Sequence, residues 1–145
     1  MTKIAETLAW QHRELIEAVT YIIAAPKRRR RRSLRRFASL FAAHLAAESL
    51  TVSASPGLAP AVGVLQELEP DTLAFEIEAA LLREALQEHQ NEVVNRLPVP
   101  TQRAVTALET VQEVAADLDQ SDPRPMEDAL VEAHRLIAER LSRVP

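Results

Sequence analysis

Four histidines, His12, His44, His89 and His134, are the residues of this chain best equipped to hold a metal ion. Each is surrounded, one helical turn away, by apolar side chains. His12 has Leu8 and Ala9 before it and Leu15 and Ile16 after; His44 has Leu40, Phe41 and Ala47; His89 has Ala85, Leu86 and Val93; His134 has Leu130, Val131 and Ile137. Residues three and four apart share a helix face, so the spacing predicts four imidazoles turned toward an apolar interior. About three in seven helix positions face a bundle core, and random placement puts all four histidines inside only about 3% of the time. Buried imidazoles need partners, and a shared metal would supply one to each. Carboxylates lie on the same stretches. Glu48 is four residues after His44, and Glu139 is five after His134, about 140° round a straight helix. Glu92 and Glu127 are further acidic candidates. Imidazole with carboxylate suits iron, with zinc and manganese as competitors.

The elements that must position these residues read as helices. The 145 residues suit one domain, 1–145. Strong helix formers dominate, 47% of residues are hydrophobic, and the only glycines are Gly57 and Gly63. Pro26 ends a first helix over about 3–25. A second is predicted from about Ser33 to Val52. Residues 53–70 carry both glycines and three prolines and read as a loop with a short helical turn near Val62–Leu68. Asp71 can cap a third helix over about 71–97, and Thr101 a fourth to about Leu118. Asp122 with Pro123 can open a last one over about 124–143. Apolar spacings of three and four recur throughout, for example Phe75, Leu82, Leu86 and Val93, or Leu130, Val131, Ile137 and Leu141. The expected fold is all-α: an up-and-down antiparallel four-helix bundle with an extra short helix. A weak internal repeat accompanies it, since the second and last helices each carry a histidine followed by a glutamate.

In their order, H, H-x-x-x-E, H, H-x-x-x-x-E, these motifs resemble the hemerythrin-like (histidine–histidine–glutamate cation-binding) family. WQHREL resembles its first-helix histidine, FASLFAAHLAAESL its second helix, EHQNEV its third-helix histidine and AHRLIAERL its last helix. The resemblance implies two non-haem irons, with His12, His44, His89 and His134 as terminal ligands and Glu48 and Glu139 as bridges. Positions four either side of His89 are Ala85 and Val93. The chain therefore resembles the four-histidine, two-carboxylate subgroup rather than the oxygen carriers. That subgroup is associated with sensing oxygen, nitric oxide or peroxide, with stress responses and with iron handling. Position 138 is Ala where many members have Glu, which leaves a mononuclear or vanished site open. The ferritin-like bundle is a poorer match, since no Glu precedes a histidine by three.

Charge and composition close off other classes. There is no cysteine, hence no disulfide, thiolate site or cysteine nucleophile. No glycine-rich phosphate loop occurs. The amphipathic N-terminus is neither signal peptide nor membrane span, so a cytoplasmic protein is expected. The net charge of -4 conceals a segregation. Lys27–Arg36 holds eight of the 17 basic residues and leaves the remainder near -12. That stretch reads as a connector able to contact an anionic partner. The scarcity of aromatic side chains argues against nucleic acid bound by base stacking, and nucleic-acid binding is not expected as the main function. The alternative to a small-oxidant-binding metal protein is a metal-free bundle acting as an interaction or regulatory module.

Overall fold

The computed structural model describes residues 3–50, 58–94, 101–121 and 123–143. Within them the chain is all-helical, with no strand: α1 (Lys3–Ala24), α2 (Lys27–Glu48), α3 (Leu58–Glu67), α4 (Leu73–Val94), α5 (Gln102–Glu109), α6 (Val111–Gln120) and α7 (Met126–Leu141). Among the described residues no helix is long and apolar enough to cross a membrane.

α1 buries Ile4, Leu8, Gln11, Leu15, Val19 and Ile22, a seam with steps of three and four. α4 does the same with Phe75, Ala79, Leu82, Leu86, His89 and Val93. α2 is the central element: its backbone lies close to every other helix except α4, which it reaches through side chains. From Phe37 to Glu48 all its residues are buried but Leu40, which is partly so. This end is rich in alanine (Ala42, Ala43, Ala46, Ala47), and small side chains let neighbouring helices come close on several sides. Phe37 and Phe41 stack with ring centroids 5.4 Å apart.

Four boundaries depart from the sequence expectation. α2 begins at Lys27, not near Ser33, so the arginine run is helix and not connector. Arginine is a good helix former, and one member of the run locks the start of the helix. Arg30 is buried; its guanidinium donates to the carbonyls of Ile23 at 2.9 Å, Ala25 at 3.3 Å and Pro70 at 3.0 Å, and pairs with Glu76 at 3.0 Å. It thereby caps the end of α1 and ties it to the start of α4. Arg35 does a similar service for α6, donating to the carbonyls of Asp119 at 3.0 Å and Ser121.

The second departure is that residues 58–67 form a full helix, seated on α4 and α7 by Leu58, Val62 and Leu65. Third, the expected 101–118 helix is two helices. The Thr101 hydroxyl accepts from the Ala104 N–H as a cap should. The Thr110 hydroxyl, however, donates back to the Ala107 carbonyl at 2.7 Å and marks a break before α6. Fourth, the caps of α4 and α7 differ. Thr72, not Asp71, receives the Phe75 N–H at 3.2 Å. α7 starts at Met126, whose N–H is taken by Gln66 Oε1 of α3 at 2.8 Å. The expected Asp122 cap lies outside the described residues.

Candidate metal centre

Three helices bring one polar group each, or two, to a common point in the core. α1 supplies His12, α4 supplies His89, and α2 supplies His44 with Glu48, which share a face because they are four residues apart. All four side chains are at most 4% exposed. One ligand-capable atom from each lies within 4.8 Å of all the others. Glu48 is the hub. Its Oε2 meets His12 Nε2 at 2.9 Å and stands in close contact with His44 Nε2; its Oε1 meets His89 Nε2 at 2.5 Å. The ring of His12 lies edge-on to those of His44 and His89, with centroids 4.7 and 5.1 Å away.

The protonation pattern follows from a residue not singled out by sequence, Gln11. Its Nε2 donates to the Leu108 carbonyl of α5 at 2.9 Å. That fixes the amide, so Oε1 can only accept, and the group 2.8 Å from it is His44 Nδ1. His44 therefore carries its proton on Nδ1. Burial holds its pKa below the ordinary value of 6.5, although Glu48 acts the other way, so the ring is neutral and Nε2 presents a lone pair. That lone pair faces a carboxylate oxygen, a like-for-like meeting of acceptors. His44 Nε2 and His12 Nδ1 are in fact buried nitrogens without a hydrogen-bond partner among the described residues. Burial alone would raise the Glu48 pKa, but the imidazoles gathered round it, with His12 and His89 hydrogen-bonded to its two oxygens, outweigh that and keep the carboxyl well below its usual range. An ionised carboxylate, three imidazoles and an unsatisfied lone pair aimed at the same spot fit a divalent cation, which would relieve the acceptor–acceptor contact.

Of the six sequence candidates, then, His12, His44, Glu48 and His89 come together. His134 and Glu139 do not. Both are exposed on α7, and Glu139 is engaged with Arg135 at 3.1 Å and Arg143 at 3.0 Å. The expectation that all four histidines point inward is thus corrected for His134. The buried stripe of α7 is Met126, Ala129, Ala133, Ile137 and Leu141. His134 is one residue, about 100°, off that stripe, and Val131, assigned to it from sequence, is 68% exposed. The further acidic candidates Glu92 and Glu127 are also exposed. No second carboxylate reaches the cluster among the described residues.

The signal for Gln11 was present in the sequence. It occupies a seam position between Leu8 and Leu15, where an amide has no business unless it is hydrogen-bonded. Compared with family models, curated proteins and solved structures, the chain finds no match.

Proposed function

We propose that this chain is a hemerythrin-like non-haem metal protein that holds a single ion, iron, at His12, His44, Glu48 and His89, and that it binds or senses a small oxidant such as dioxygen, nitric oxide or peroxide. In this reading α1, α2, α4 and α7 are the long members of an up-and-down bundle. α7 has lost its share of the ligands, so one ion takes the place of the family's two. The observation that carries the reading is the convergence of four buried donor atoms within 4.8 Å of one another. Three imidazole nitrogens and one carboxylate form a donor set suited to iron, manganese or zinc. Iron, when bound, supplies one-electron redox chemistry and affinity for small diatomic ligands. The chain's own residues provide the rest. Gln11 orients His44, Glu48 supplies the negative charge, and the apolar shell of Leu8, Phe41 and Leu86 limits bulk water.

One observation favours a metal-free cluster instead: Glu48 already meets all three imidazoles. Loading separates the two readings. Apoprotein dialysed against ferrous, manganous or zinc ions and then desalted is expected to retain one iron per chain, and to melt at a lower temperature once a chelator strips it. Retention of no metal, with a melt indifferent to chelator, overturns the proposal in favour of the metal-free reading.

A further inference from the structure

The basic stretch Lys27–Arg36 takes no part in the metal centre, and the fold uses only some of it. Arg30 and Arg35 cap neighbouring helices, and Arg31 approaches Glu69 at 3.5 Å. Lys27, Arg28, Arg29, Arg32 and Arg36 remain. All five are exposed, and none has an ion pair or side-chain hydrogen bond among the described residues. They occupy the first ten residues of α2, about 14 Å of helix. Arg28, Arg32 and Arg36 follow one another at i, i+4 spacing, a line with a charge about every 6 Å, flanked by Lys27 and Arg29.

Left to itself this arrangement is unfavourable. Cations in a first turn oppose the helix dipole, like charges four apart repel, and the first turn of α2 contains no acidic residue. We propose that this face binds the phosphate backbone of double-stranded nucleic acid without reading its sequence. A duplex offers roughly eight phosphates over 14 Å of axis, enough to pair every free cation, and guanidinium groups match phosphate oxygens two to two. The want of aromatic side chains, which argues against a stacked single strand, is no obstacle to a backbone contact. A lipid surface fits less well. Every exposed residue of this stretch is cationic, so no apolar group is offered to a bilayer.

The test uses the full chain and a fluorescent 20-base-pair duplex of arbitrary sequence, followed by anisotropy across a salt series. Five phosphate contacts predict a slope of log K against log salt of about -4.5, hence an affinity loss of about 500-fold from 50 to 200 mM salt. Replacing all five cations with glutamine is expected to abolish binding while the circular dichroism melt is preserved. Arg32→Glu, a single surface change, is expected to weaken binding and flatten the slope on its own. No binding at 50 mM salt, a slope unaltered by Arg32→Glu, or capture by phosphatidylcholine vesicles containing phosphatidylserine but not by the duplex would each overturn the proposal.

Discussion

Gln11 Oε1 accepts the His44 Nδ1–H at 2.8 Å, and the other end of the same amide is held by the Leu108 carbonyl at 2.9 Å. One side chain thus ties α1, α2 and α5 together and decides which nitrogen of His44 faces Glu48. Removing it with Gln11→Leu frees His44 to rotate or to place its proton on Nε2. Partners of this kind contribute 10- to 100-fold to metal affinity, so Gln11→Leu is expected to weaken iron binding by about that factor in a chelator competition. Nitrogen-15 spectra of the metal-free protein should show His44 losing its pure Nδ1–H tautomer. An unchanged tautomer would remove Gln11 from the centre.

His134 and Glu139 test the number of ions. Both side chains are exposed, away from the other four candidates. His134→Ala and Glu139→Ala are expected to leave iron stoichiometry unchanged, and to alter stability by no more than about 0.5 kcal/mol. Loss of half the bound iron in either variant would restore a dinuclear site.

Acid should destabilise the metal-free protein. The His44 pKa is lowered from 6.5 in the folded chain, chiefly by burial. Its contribution to stability is therefore complete above 6.5 and shrinks as pH falls below that value. Glu48 acts in the same sense further down. Burial pushes it up, but the imidazole hydrogen bonds prevail and lower its pKa, so its contribution is complete above 4.5 and lost below. Urea midpoints are expected to be level from pH 8 to 7 and to decline from about 6.5 downward. Protons also compete with metal for imidazole, so iron retention should fall over the same interval. A midpoint that rises on acidification would contradict this assignment of charges.

Arg30 is the member of the basic run on which the fold depends. Its guanidinium satisfies three carbonyls and one carboxylate. Arg30→Gln strands those groups and is expected to cost about 3 kcal/mol in denaturant unfolding. Arg28→Gln and Arg32→Gln should leave stability level or raise it slightly, by removing like-charge neighbours. Equal losses at 30 and 32 would mean that the run acts only as bulk charge.

What the sequence discloses and what it conceals divide along physical lines. Strong periodicity made the helices of 3–24 and 73–94 readable, because large apolar residues mark their seams. His44 and Glu48 were readable as a pair because helical geometry alone puts them on one face. α7 was misread because its buried stripe is carried partly by Ala129 and Ala133. Alanines weigh little beside Leu130 and Val131, and it is the tertiary neighbours that choose the phase. The arginine run looked like a connector because its charge suggests solvent, whereas one long-range clamp from Arg30 to Pro70 and Glu76 makes its helix part of the body. The Thr110 break depends on a side chain turning back on its own backbone, which composition does not reveal.

The hub position of Glu48 has a consequence for a chain that contains no cysteine. It joins His12, 36 residues upstream, and His89, 41 residues downstream. An ion shared by these side chains would close two large loops at one knot. In the chain-entropy model each such closure removes about 4 kcal/mol of freedom from the unfolded ensemble, as a disulfide of that span does. The centre would then serve the protein as its only cross-link, one that reducing conditions leave intact and a chelator cuts.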